Sequence, residues 1–264
     1  MIIIGLFAAV IIGISLGLIG GGGSILTVPV LVYIFHVETV LATGYSLFIV
    51  GVTSLVGSMS YFRSKLINLK TAIIFGVPSF ISVYLTRAFV IPSVPDEIMQ
   101  WGDFLLTKDR FLLILFSVLM IGASYSMIKK PKLISKEEDS HQVFNYPLIL
   151  LEGVVVGFLT GLVGAGGGFL IIPALVVFSK LPMKEAVGTS LLIIATKSLV
   201  GFTGEIGRYA IDWYFLIGIS VVAVIGIFLG TLLSKKMNGE QLKPAFGWFT
   251  LVMGIYIIVK ELFL

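Results

Sequence analysis

The residues with the means to do chemistry lie in two glycine runs. In the first, Gly17, Gly20, Gly21, Gly22 and Gly23 lead into Ser24, with Thr27 and Pro29 close behind. In the second, Gly161, Gly164, Gly166, Gly167 and Gly168 surround Ala165, and Pro173 follows at the spacing of Pro29. Both runs are embedded in apolar sequence. Backbone N–H and C=O groups without partners cannot face lipid, so each run must be buried between helices or line a wet cavity. Proline suits the first turn of a helix, where no N–H is needed. Each run is therefore expected to open a short helix whose free N–H groups and partial positive charge point back at the glycines. A small oxyanion is the ligand that suits such a cradle. Its candidate residues are Gly20, Gly21, Gly22, Gly23, Ser24, Thr27, Gly164, Gly166, Gly167 and Gly168. Close helix packing through small residues is the other use of such glycines, but it leaves the paired prolines without a role.

Lys197 is the sharpest single signal, because it lies well inside the apolar stretch Ala186–Gly204. An ammonium at that depth costs roughly 3 kcal/mol on insertion scales, so it needs a partner or water. It can balance a bound anion, or it can pair with Glu152 or Glu205. Ser46, Thr189 and Ser190 stand near the starts of later spans, where a hydroxyl either lines a route or caps and cross-links helices. Glu152 and Glu205 are candidates for coupling or gating; each also fits a solvated end of its span. Other chemistries lack their residues. There is no cysteine, and His36 and His141 lack metal-ligand spacing, so no metal site is expected. The first run lacks the Gly-Lys-Ser/Thr ending of a phosphate-binding loop and follows no strand, which argues against nucleotide binding. No histidine shares an apolar region with a nucleophile, so an enzyme is not expected, nor is a cofactor.

The elements that must position these residues are membrane helices. The 264 residues are 58% hydrophobic and 12% charged, about half the charged fraction of a soluble domain. Apolar stretches long enough to cross a bilayer, roughly 20 residues, recur along the chain. The expected order is Ile2–Ile19, the first glycine run, Ile25–Phe35, Val40–Ser60, Leu69–Val90, a polar stretch Arg87–Arg110, and Phe111–Met127. A charged linker, Lys129–Asn145, separates these from Tyr146–Val163, the second run, Phe169–Phe178, Ala186–Gly204, Trp213–Ser234 and Leu242–Val259. The N-terminus has no basic leader or cleavage signal, so the first apolar run is expected to be a retained span.

The halves repeat. At a constant shift of 144 residues Pro29 meets Pro173, Ala42 meets Ala186, Gly44 meets Gly188, Ser46 meets Ser190, Ser54 meets Ser198, Gly57 meets Gly201 and Asn68 meets Asp212. Ungapped agreement of glycine, proline and serine is the mark of internal duplication. The domains are then a repeat at 1–128, a linker at 129–145 and a repeat at 146–264. A single helix from Ile2 to Phe35 would be about 50 Å long, too long for a core of roughly 30 Å. The chain can cross twice there or dip and return, and either choice turns the second half upside down; the rival is one steep, broken span per half, which gives eight spans and parallel halves. Basic residues test this. Inverted halves place 12 Lys and Arg inside (Arg63, Lys65, Lys70, Lys129, Lys130, Lys132, Lys136, Lys180, Lys184, Lys235, Lys236 and Lys243), 5 outside (Arg87, Lys108, Arg110, Arg208 and Lys260) and Lys197 within the membrane. Parallel halves give 9, 8 and 1. The fold class expected is an all-α polytopic membrane protein of two inverted repeats. Each holds a glycine-rich broken helix or hairpin and three further transmembrane helices. The linker is expected in the cytoplasm and both termini outside.

The glycine runs with their prolines, the element Ala186, Gly188, Thr189, Ser190, Leu191, and the Ile211, Asp212, Trp213 after it resemble the TauE/SafE family of membrane permeases over nearly the whole chain. The resemblance implies a cell-membrane transporter that moves sulfite or small organosulfur anions, usually outward. That family often has asparagine near the place of Lys197 and histidine near that of Glu205, where this chain differs. The function expected is export of a small sulfur oxyanion by alternating access. An anion channel or an importer of another anion is the alternative. The expected partners are a small anion, the lipid bilayer and protons as coupling ion, with no nucleic acid.

Overall fold

A computed structural model describes residues 2–101, 104–128, 146–163, 167–177, 179, 181–207, 209–236 and 239–263. Gly164 and Gly166 of the candidate cradle, and the whole of the charged linker, lie outside them. The described chain is α1 (Ile2–Ile19), α2 (Gly22–Tyr33), α3 (Thr39–Arg63), α4 (Leu69–Leu85), a π-helical turn (Thr86–Val90), α5 (Ile91–Ser93), strands β1 (Glu97–Trp101) and β2 (Phe104–Thr107), α6 (Lys108–Ile128), α7 (Tyr146–Val163), α8 (Gly168–Val177), α9 (Met183–Thr203), α10 (Trp213–Lys236) and α11 (Gly239–Phe263). Helices dominate because lipid offers no partners to the backbone, so each segment must satisfy its own N–H and C=O groups. Among the described residues, four helical stretches are long and apolar enough to cross a membrane: Thr39–Arg63, Leu69–Ser93, Met183–Thr203 and Trp213–Ser234.

The helix-dominated fold agrees with the expected class and carries one short hairpin, in which β1 and β2 pair antiparallel between α5 and α6 with Gln100 opposite Leu105. Their content of isoleucine, tryptophan, phenylalanine and threonine suits strands. The prolines do not open the short helices: α2 begins at Gly22 and α8 at Gly168, so Pro29 and Pro173 lie inside them. Glycine is a poor helix former in water, but within an apolar layer the helix is the one local way to satisfy the backbone. The glycines therefore join the helix, and each proline withholds one bond, from the carbonyls of Ile25 and Phe169. A second correction is that Arg87 does not belong to a solvated loop. It is fully buried, in the π-helical turn that continues α4.

The α1–α2 unit is a hairpin. A Cβ added at Gly5, near the start of α1, would strike the ring of Phe35 beyond the end of α2, and one at Gly23 would strike Leu16. The 18 residues of α1 rise about 27 Å, and the chain then comes back beside itself.

Helix partners are exchanged between the halves. α1 runs parallel to α10: Gly17 packs on the Ile227 carbonyl, Gly226 on the Val10 carbonyl and Gly230 on the Ile14 carbonyl. α7 runs parallel to α4: Gly153 packs on the Phe75 carbonyl, Gly157 on the Ser79 carbonyl and Gly161 on Thr86. The 144-residue shift carries Gly17 to Gly161 and Thr86 to Gly230, so the second contact is the counterpart of the first. Small residues four apart allow this approach, which membrane helices use because lipid supplies no hydrophobic drive between them. The sequence spacing of Gly13 with Gly17, of Gly226 with Gly230, and of Gly153, Gly157 and Gly161 carries this signal.

The centre of the molecule is α3 against α9. Gly44, near the start of α3, lies against Glu205 just past the end of α9, and Gly188, near the start of α9, lies against Tyr61 near the end of α3. The two helices are therefore antiparallel. Gly51 against Leu199 sets the register midway, which puts Thr53 and its repeat counterpart Lys197 at about the same level.

Candidate functional site

The two glycine runs meet. A Cβ added at Gly21 would lie 2.5 Å from the carbonyl carbon of Gly168, and one at Gly168 would lie 2.5 Å from Cα of Gly21. Backbone thus packs on backbone where the starts of α2 and α8 approach. Gly20 and Gly167 hold φ of +77° and +69°, the left-handed region that suits glycine.

α9 passes both runs. Ser190 Oγ donates to the Val187 carbonyl at 2.8 Å and lies 3.5 Å from the Gly20 carbonyl. Two turns on, Lys197 Nζ comes so close to Gly167 that a Cβ there would lie 2.5 Å away. The ammonium donates to Thr160 Oγ1 at 3.0 Å, and Lys197 is 1% exposed. No carboxylate among the described residues reaches ion-pairing distance of it, so neither Glu152 nor Glu205 is its partner. The equivalent place in the first run is apolar. Gly23 packs on Leu16, as Gly167 packs on Thr160, and Thr53 occupies the place of Lys197, its hydroxyl donating to the Ile49 carbonyl. The exchange of Leu16 and Thr53 for Thr160 and Lys197 makes the second run the polar one, with a lysine amine against it. Sequence reasoning missed Thr160, although its alignment with Leu16 just before the run was readable.

The hydroxyls divide. Ser24 donates to the Gly21 carbonyl at 2.6 Å and Thr27 to the Gly23 carbonyl at 2.7 Å, so both serve their own helix. Thr189 accepts from the backbone N–H of Asn68 at 2.9 Å and thereby positions the start of α4. Ser46, Ser54, Ser79 and Ser198 are fully buried, and their Oγ atoms have no hydrogen-bond partner among the described residues. Buried hydroxyls without partners are costly. Ser54 and Ser198, which are repeat counterparts, therefore mark a polar centre in the α3–α9 pair.

The carboxylates also divide. Glu152 Oε1 and Oε2 are shielded and have no hydrogen-bond partner among the described residues. Glu152 precedes Thr160 by eight residues, about 12 Å along α7, and so stands away from Lys197. Glu205 is not a solvated end charge: its Oε1 lies 3.1 Å from Arg87 Nη1, with side-chain exposures of 6% and 0%. Tyr61, the repeat counterpart of Glu205, donates to the Gly17 carbonyl at 3.1 Å and lies 2.9 Å from Ser234 Oγ. Arg87 and Tyr61 were not among the expected site residues. A basic residue at the junction of an apolar run and a polar loop reads as loop until its partner is seen.

Two open grooves flank α3 and α10. One, of about 190 Å³, is lined by Phe48, Val52, Ile217, Ser220, Val221 and Val224; the other, of about 400 Å³, is lined by Val56, Met59, Ser60, Arg63, Ser64 and Phe228. Neither is lined by a glycine of the runs.

Comparison with known proteins gives the family. Residues 5–257 match the family described as sulfite exporter TauE/SafE. The chain belongs to the TauE/SafE family. Its relatives include a probable membrane transporter protein of Xylella fastidiosa (strain 9a5c), 27% identical over 256 residues, covering 95% of this chain and 92% of the relative. Probable membrane transporter protein MJ0441 of Methanocaldococcus jannaschii is 29% identical over 265 residues, with coverages of 94% and 92%. YunE of Bacillus subtilis (strain 168), also a probable membrane transporter protein, is 27% identical over 281 residues, with coverages of 100% and 98%. A TauE/SafE chain is a membrane transporter, which is not an enzyme class. The buried polar groups along α9 of this family member are thus candidates for handling a transported solute.

Proposed function

We propose that this TauE/SafE member exports sulfite or a related small organosulfur oxyanion by alternating access between inverted halves. The observation that carries the reading is Lys197, a buried ammonium with no carboxylate among the described residues, placed at Gly167 where the two glycine runs meet. A positive charge beside the start of α8 is arranged for an anion. Thr160 stands beside it, and Ser198, the next residue on α9, is the second candidate hydroxyl ligand. Glu152 is the candidate carrier of a coupling proton.

Inversion is supported by the antiparallel packing of α3 on α9, whose sequences align at the constant shift, and by the exchange of α1–α10 for α7–α4. With Arg87 moved from loop to membrane, the basic residues divide as 12 inside, 4 outside and 2 within, a stronger asymmetry than before. Cysteines introduced at Ser140 and Gly239 should be labelled from the same side of the membrane. Labelling from opposite sides would exclude this topology.

In proteoliposomes, Lys197→Met should lower saturable sulfite flux by roughly tenfold or more, the loss of a charged hydrogen-bond partner of about 1.5–3 kcal/mol, while insertion stays intact. The panel should hold sulfite, sulfate, thiosulfate, sulfoacetate and acetate, each with and without a proton gradient. Unchanged flux in the variant would remove Lys197 from the site. Non-saturable, gradient-insensitive flux would favour a channel.

A further inference from the structure

We infer that the buried pair Arg87–Glu205 and the Tyr61–Ser234 contact are the two gates of the transport route, repeat-related latches that close opposite faces of the membrane. The inference rests on the alternating-access reading above and adds the residues that decide which face is open.

Each latch joins the two halves. Glu205, just past the end of α9, meets Arg87 in the π-helical turn after α4 at 3.1 Å. Tyr61, near the end of α3, lies 2.9 Å from Ser234 Oγ near the end of α10 and donates to the Gly17 carbonyl. The shift of 144 residues carries Tyr61 to Glu205, and each sits on the glycine that the same shift relates: Tyr61 on Gly188, Glu205 on Gly44. Gly44 and Tyr61 are 17 positions apart on α3, about 25 Å along a helix, close to the roughly 30 Å of a bilayer core. One latch therefore lies near each face. Between them are the contact of Gly21 with Gly168, Lys197, and the unpartnered hydroxyls of Ser54 and Ser198. A route through the centre has to pass one latch at a time.

The latches differ in chemistry, and that sets which is harder to open. Tyr61 contributes neutral hydrogen bonds, which exchange readily for water. Arg87 and Glu205 are held by opposite charge where water is excluded, so their separation requires water, a proton or an anion to take the place of the lost partner. A π-helical turn carries Arg87, and such turns are frequent at functional sites.

The chain has no cysteine, so single thiols are clean probes. Ser54→Cys and Ser198→Cys are nearly isosteric reporters at the centre. A membrane-impermeant thiol reagent is applied from either side of oriented vesicles, with no substrate present. With both latches intact, labelling should be slow from both sides. Glu205→Gln should accelerate labelling on the order of tenfold or more from the side of the termini, and leave the linker side slow. Tyr61→Phe with Ser234→Ala should accelerate it severalfold from the linker side. The swap Arg87→Glu with Glu205→Arg should restore slow labelling, which separates gating from misfolding. Acceleration from the wrong side, or none in either variant, overturns the assignment. The assay uses no substrate, so its failure is distinct from failure of the sulfite reading.

Discussion

Replacing Arg87 with leucine is expected to cost the closed protein about 3–5 kcal/mol, because it strands the Glu205 carboxylate in a water-excluded site. Glu205 is 4% exposed, and Arg87 is the cation beside it among the described residues. The pair itself need not stabilise the fold, since the desolvation of two ions offsets most of their attraction. The double variant Arg87→Leu with Glu205→Leu should therefore recover much of the loss. Thermal unfolding of the purified protein in detergent, run as a double-mutant cycle, measures this. A single variant as stable as the parent would mean that water already reaches the pair.

Gly168→Leu is expected to have the other large effect. The place for its Cβ lies 2.5 Å from Cα of Gly21 and 2.7 Å from Ile194 Cδ1. A side chain can rotate away from such a contact, but Gly21 offers only backbone, so the starts of α2 and α8 must part. Overpacking of a close-packed interior costs about 1–3 kcal/mol and sometimes more. Here the separation also moves Gly167 away from Lys197, so flux should fall further than stability. Gly218→Ala is the control: it lies in α10 with open space where a Cβ would go, and alanine is the better helix former. Equal loss of flux in both variants would show that the close approach of the runs is not what transport needs.

Much of this molecule was readable in the chain. The bounds Ile2–Ile19 and Tyr146–Val163 were recovered residue for residue, because there the apolar run stops at glycine or begins after charge. The duplication was readable because glycine, proline and serine repeat at one fixed shift. The prolines were misread because a water-based rule for helix starts was applied where the backbone has no water to turn to. Lys197 was legible as an anomaly, since a charge among apolar residues needs no structure to be noticed. Its partner was not legible, because a threonine in a helix is unremarkable until the fold sets it beside an ammonium.

By itself the sequence determined a membrane-embedded, helix-dominated chain with one lysine among its expected spans, two glycine runs, and glycine, proline and serine recurring at a shift of 144 residues. Those features follow from composition and periodicity, which the bilayer reads segment by segment. Only the tertiary structure decided that the runs touch at Gly21 and Gly168, that Lys197 serves one of them, and that Arg87 belongs with Glu205. The first and last of those pairings join residues from opposite halves, while Lys197 meets Gly167 and Thr160 of its own half. They depend on how α1, α4, α7 and α10 exchange partners, and on the antiparallel register of α3 and α9. Glycine spacing marks a helix as able to pack closely, but which distant segment it packs on has no local signature, because that is set by the shapes of both surfaces at once.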